Sequence, residues 1–120
     1  MMAKILIVDD EESIVKALDK RLTRMGHDVV TARDGMEAWE RFDPEDFDLL
    51  ITDFRMPRMD GLELLKRVKN LAGSFPVIVI TGTASHNPEI FLEHGAQHCL
   101  LKPVSKTDLV ATLQKVLPVA

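Results

Sequence analysis

The stretch Lys4-Ile5-Leu6-Ile7-Val8-Asp9-Asp10-Glu11-Glu12 runs four apolar residues straight into four acids. A strand with one face in water alternates apolar and polar residues, and this one does not. An unbroken Val/Ile/Leu run fits a parallel strand covered on both faces. Similar short runs recur at Val29–Val30, Leu49–Ile51, Val77–Ile80 and Leu100–Leu101. The segments between them carry helical spacing instead. Ile14, Val15, Leu18, Leu22 and Met25 form one stripe, closed by Gly26. Ala38, Trp39 and Phe42 mark a second helix with Asp34 as N-cap, and Leu64, Leu65, Val68 and Leu71 a third, entered through Asp60-Gly61. The fourth is expected from Asn87-Pro88 to Gly95. The fifth carries Leu109, Val110, Leu113, Val116 and Leu117 behind a capping-box spacing of Ser105 and Asp108. Strand and helix thus alternate through five units. Right-handed crossovers then give an α/β, doubly wound, five-stranded parallel sheet with helices on both faces.

Length and composition agree. The 120 residues suit one domain, 1–120, and with 46% hydrophobic residues they can bury a core unaided. Fifteen basic against nineteen acidic residues leave a net charge of −4, which disfavours a nucleic-acid binder. The single cysteine, Cys99, excludes an internal disulfide and any multi-cysteine zinc site, and suits a reducing cytoplasm. No apolar run is long enough to span a bilayer, so no membrane association is expected.

In an open parallel sheet, ligands bind beyond the carboxyl ends of the strands. Asp9, Asp10 and Glu11 come after the first strand, and Asp53 after the third within Thr52-Asp53-Phe54-Arg55-Met56-Pro57. Thr81-Gly82-Thr83 ends the fourth and Lys102-Pro103 the fifth. Three clustered carboxylates repel, so a proton or a cation must hold them together. Oxygen-only ligation with few protein ligands favours Mg²⁺, which retains waters and completes its shell with phosphate. Lys102 adds a positive charge opposite the metal, and a phosphoryl group between the two would be neutralised from both sides. An aspartate there can attack phosphorus and become an acyl phosphate, with the Thr81 hydroxyl donating to a phosphoryl oxygen.

On these residues, from Ile5-Leu6-Ile7-Val8-Asp9-Asp10-Glu11 to the helix after Lys102-Pro103, the chain resembles a receiver domain of the two-component response regulators, chemotaxis-regulator-like in length. The resemblance implies a flavodoxin-like fold with strand order 2-1-3-4-5, and Asp53 as the aspartate phosphorylated from a sensor histidine kinase or phosphotransfer protein. It implies Mg²⁺ bound by Asp10, Asp53 and the backbone carbonyl of Arg55, with Asp9 assisting through water. Thr81 matches the switch hydroxyl and Lys102 its cationic partner. The Lys102-Pro103 peptide would be cis. The resemblance also implies a signalling role rather than enzymatic turnover, read out by an output domain or partner protein at the face of helix four, strand five and helix five.

Three features depart from the family pattern. Cys99 stands where an aromatic is usual, Val104 replaces a frequent phenylalanine, and a compressed Thr81–Gly95 segment predicts a short or offset fourth helix. Switching is therefore expected to rely on Thr81 and the loop and helix after it, with Arg55 and Thr83 flanking the pocket. Three rivals remain. A Mg²⁺-dependent phosphatase with an aspartyl nucleophile would want an acid two residues after it, yet Arg55 occupies that place after Asp53; Asp9 has Glu11, but no room is left for a cap domain. A flavin or nucleotide binder would want a Gly-rich or hydroxyl-rich loop where the acids stand. A pseudo-receiver scaffold would lack the acceptor chemistry that Asp53, Asp10, Thr81 and Lys102 supply. His27, His86, His94 and His98 lack zinc spacing and read as surface or loop groups, Met56 and Met59 as packing plugs, and Trp39 as core of the second helix.

Overall fold

In the computed structural model, which describes residues 2–82 and 88–117, the chain alternates strand and helix throughout. The elements are β1 (Lys4–Val8), α1 (Glu12–Arg24), β2 (Asp28–Ala32), α2 (Gly35–Arg41), β3 (Leu49–Asp53), α3 (Gly61–Leu71), β4 (Val77–Thr81), α4 (Glu89–Glu93), β5 (His98–Leu101) and α5 (Lys106–Val116). The strands form one parallel sheet in the order β2-β1-β3-β4-β5. The α/β, flavodoxin-like arrangement expected from the sequence is the one observed.

Side-chain alternation along each strand divides the core in two. Leu6, Val8, Leu50, Val77 and Val79 meet Ala38 of α2, Leu64, Leu65 and Val68 of α3, and Phe91 of α4. Ile5, Ile7, Leu49, Ile51, Ile78 and Ile80 meet Leu18 and Leu22 of α1 and Leu109 and Leu113 of α5. All five residues of β3 and of β4 are buried, as strands covered on both faces must be. The edge strands differ: β2 is only partly covered and Leu101 of β5 is 58% exposed. An edge strand has a neighbour on one side only, so its apolar run need not be wholly enclosed.

Helix ends coincide with the capping residues. The carboxylate of Asp34 accepts from the Glu37 N–H at 2.9 Å, Asp60 accepts from Glu63 N–H at 2.8 Å, and the Ser105 hydroxyl accepts from Asp108 N–H at 3.0 Å. Gly26, with φ of 95°, takes the left-handed position that ends α1. Three expectations need correction. Met25 and Leu71 lie at 36% and 59% exposure, Met25 as the C-cap of α1 and Leu71 as the last residue of α3. Helix α4 has five residues, and Pro88 stands at its N-cap rather than inside its first turn; Asn87 lies outside the described residues. His27 is half-buried, and its Nδ1 accepts from the Ala3 N–H at 3.1 Å, a role that burial supports by holding the ring's pKa below its usual value.

Gly61 is the tightest point of the framework. A Cβ there would stand 2.3 Å from the Asp53 carbonyl oxygen and 2.9 Å from the Phe54 Cα. The start of α3 therefore lies directly against the end of β3, and the Gly61 N–H donates to the Phe54 carbonyl at 2.7 Å. Gly61→Ala is expected to destabilise the fold by about 1–3 kcal/mol in urea unfolding. Gly73→Ala, whose Cβ would meet only the Lys69 carbonyl at 3.6 Å, serves as the control and should change stability by no more than about 0.5 kcal/mol.

Candidate functional site

Strand register brings the candidate residues to one edge of the sheet. Val8 is level with Thr52, Asp53 with Ile80, and Thr81 with Leu101. Asp9 and Lys102, one residue beyond β1 and β5, therefore emerge beside Asp53 and Thr81. Alternation then selects a side. Asp53 continues the parity of Leu49 and Ile51, Asp9 that of Ile5 and Ile7, and Lys102 that of Leu100. All three incline toward the α1 and α5 side, whereas Thr81 continues the parity of Val77 and Val79 and enters from the other. Backbone bonds fix these strand ends: Asp9 N–H to the Ala32 carbonyl, Phe54 N–H to that of Ile80, and Lys102 N–H to that of Thr81.

The centre of the site is the Lys102 ammonium. Its Nζ lies 3.1 Å from Asp9 Oδ2, 3.1 Å from Asp53 Oδ1 and 3.4 Å from Glu11 Oε1. Asp9 and Asp53 are buried, with 2% and 5% of their surface exposed. The remaining Asp9 oxygen, Oδ1, accepts from the Glu11 N–H at 2.9 Å. Asp10 is exposed and, with Glu11, Asp53, Arg55, Thr81, Gly82 and Lys102, lines a cavity of about 380 Å³. Carboxylate oxygens of Asp9, Asp10 and Asp53 lie within 4.8 Å of one another. The Lys102-Pro103 peptide is cis.

This crowding sets the electrostatics. Burial, reinforced by the Asp9 charge, raises the pKa of Asp53 from 3.8 to about 6, against the opposing pull of Lys102. For Lys102 burial acts downward, but the hydrogen bonds and charges of Asp9 and Asp53 outweigh it, and its pKa lies above the ordinary value. The donor set suits a small hard cation: carboxylate oxygens, with no sulfur or imidazole among the described residues lining the cavity. Asp9 has both oxygens occupied by protein donors, while Asp10 faces the cavity.

The sequence pointed to Asp9, Asp10, Asp53, Thr81 and Lys102, and the structure brings them together at one cavity, with Arg55 at its rim. Thr83 lies outside the described residues. Glu11 as a third carboxylate on Lys102 was not foreseen, although its place after β1 was the available signal. The close fit of Gly61 behind Asp53 was also missed. The N-cap of α1 is Glu11, without a side-chain cap bond, so neither Asp9 nor Asp10 is the capping residue of that helix.

An α/β sheet in this order with an acidic pocket and a lysine across its mouth defines a class, and comparison with known proteins agrees. The response regulator receiver domain family matches residues 5–114, and the chain belongs to that family. It is a receiver domain of the two-component response regulators. It is 38% identical over 118 residues to the alkaline phosphatase synthesis transcriptional regulatory protein PhoP of Bacillus subtilis, covering 98% of this chain and 49% of that protein. The chain thus spans about half the length of that relative. Against chemotaxis protein CheY1 of Helicobacter pylori it is 38% identical, with 95% of this chain and 96% of that one covered. Among solved structures, a receiver domain from Clostridium thermocellum superposes with a TM-score of 0.90 at 32% identity, covering 95% of this chain and 93% of that one. Chemotaxis protein CheY4 of Vibrio cholerae gives 0.88 at 36% identity, covering 98% and 100%.

The Asp53 pKa carries a stability signature. A carboxyl that binds its proton more tightly when folded contributes stability below its unfolded value and loses it as pH rises toward the folded value. In chelator, the parent protein should therefore lose stability relative to Asp53→Asn as pH rises from about 4 to about 6. Urea unfolding at the two ends of that window measures it.

Proposed function

We propose that Asp53 accepts a phosphoryl group from a phosphohistidine on a sensor kinase or phosphotransfer protein. The observation that carries this reading is the position of the Lys102 ammonium, 3.1 Å from both Asp53 and Asp9 at the mouth of the cavity that Thr81 also lines. The Asp53 carboxylate attacks phosphorus in line; the new O–P bond forms as the P–N bond breaks, and the imidazole leaves with that electron pair. Lys102 faces the charge that gathers on the phosphoryl oxygens, and the Thr81 hydroxyl donates to one of them in the product. Asp10, Asp53 and the Arg55 carbonyl would hold Mg²⁺, with Asp9 acting through water. The ion supplies Lewis-acid neutralisation of the carboxylates and of the incoming phosphoryl oxygens.

The chemistry supports signalling rather than turnover of a diffusible ester. Arg55 occupies the place two residues beyond Asp53 where a phosphatase would need an acid for its leaving group. Phosphorylation adds about −1.5 to −2 charges beside Lys102 and Thr81. The change is read at the face of α4, β5 and α5, where Ile90, Leu92 and Leu101 are 38%, 47% and 58% exposed. An output domain or separate protein binding there fits those apolar side chains. Cys99 is half-buried against the core cluster that holds Phe91, and its short side chain offers no ring to swing inward. Switching therefore passes through Thr81 and the segment joining β4 to α4. Among the described residues no helix is long and apolar enough to cross a membrane. A cytoplasmic site of action fits the free thiol of Cys99.

With acetyl phosphate and Mg²⁺, the parent protein should gain one phosphoryl group by intact-mass spectrometry. Asp53→Asn should gain none while keeping its circular dichroism spectrum. A mass gain in Asp53→Asn equal to the parent's rules out Asp53 as the acceptor.

A further inference from the structure

The loop between β3 and α3 carries Arg55 and closes behind Asp53. At its tip, the Met59 N–H donates to the Pro57 carbonyl at 2.8 Å across Arg58, whose φ is 69°. A three-residue turn with positive φ at its centre is rare and strained, and arginine has none of the local hydrogen-bonding that lets glycine, asparagine or aspartate sit there cheaply. Something outside the turn must hold it. Across from it stands Asp34, 24 residues earlier: Arg58 Nη2 donates to Asp34 Oδ1 at 2.9 Å and to Oδ2 at 2.7 Å.

Asp34 is a fixed anchor. Its side chain is only 15% exposed, and its Oδ1 also accepts from the Glu37 N–H as the N-cap of α2. Beside it the two segments touch through backbone, since a Cβ on Gly35 would lie 2.4 Å from the Met59 carbonyl oxygen. Met59 itself is buried among α2 and α3 residues. The far end of the loop is pinned by Gly61 against Asp53 and Phe54. The tip, facing solvent, has Arg58 as its tie.

We propose that the Arg58–Asp34 ion pair is a clamp that positions the β3–α3 loop, so that Arg55 stays at the cavity beside Asp10 and Asp53. Arg58 is a positioning residue: it acts through the loop and touches no reacting atom. The inference rests on the reading of Asp10, Asp53 and Arg55 as the Mg²⁺-binding set.

Charge signs separate this clamp from a long-range field effect. A field acting alone would make Arg58→Ala, which removes a positive charge, bind Mg²⁺ more tightly, and Asp34→Asn, which removes a negative one, bind it more weakly. A clamp makes both variants weaker. Asparagine preserves the α2 cap, so Asp34→Asn isolates the ion pair.

The test titrates Mg²⁺ by calorimetry into the parent chain, Arg58→Ala, Asp34→Asn and the double variant, and follows amide exchange at Met59 in the metal-free proteins. Both single variants should raise the Kd for Mg²⁺ by about two- to fivefold, and the double variant should be no weaker than the weaker single one. Met59 exchange should quicken in both single variants. Tighter binding by Arg58→Ala, or unchanged Kd and Met59 exchange in both single variants, overturns the clamp while leaving the Mg²⁺ site intact. A parent chain that binds no Mg²⁺ overturns the metal assignment, and the clamp with it.

Discussion

One ammonium between two buried carboxylates organises this domain. Asp9 and Asp53 are both almost wholly removed from water, and neither charge would be tolerated at that depth without a counterion. Lys102 sits 3.1 Å from each. It does not cancel them: these two buried acids and the exposed Glu11 share one cation, burial acts in the same direction as the repulsion between Asp9 and Asp53, and Asp53 remains displaced to about 6. Surplus negative charge of this kind favours a bound cation.

The sheet places these groups, but the loops decide how rigidly they are held. Strand parity sends Asp9, Asp53 and Lys102 to the same side of the strand ends, and Thr81 to the other. Behind Asp53, Gly61 allows α3 to begin in direct contact with the backbone at the end of β3. On the α4 side, Cys99 stands where a bulky ring is usual, and Phe91 packs against Phe54 with ring centroids 5.1 Å apart.

Much of this was readable in the sequence because it depends on periodicity and on chain position. Uninterrupted Val/Ile/Leu runs identified the covered strands, and Asp34, Asp60, Ser105 and Gly26 marked helix ends through local hydrogen bonds and backbone conformation. The site was legible for the same reason: the residues just past a parallel strand must lie at the sheet's carboxyl edge. The parts that escaped depend on side-chain direction across long separations. Glu11 meets Lys102 across 91 residues, and Arg58 meets Asp34 across 24, with no local pattern to announce either pair. Met25 and Leu71 continued their stripes in sequence but stand exposed at the C-terminal ends of their helices. His27 looked like a surface group because a ring accepting a backbone N–H leaves no spacing signature.

The dependence of the pocket on its single ammonium is most directly tested by tracking the Asp53 carboxyl carbon by ¹³C NMR through a pH titration in chelator. The parent protein should show a midpoint near 6, and Lys102→Met should move it to higher pH, since burial and Asp9 would then lose their main opposition. An ordinary carboxylate midpoint in the parent, left unmoved by Lys102→Met, would contradict the account.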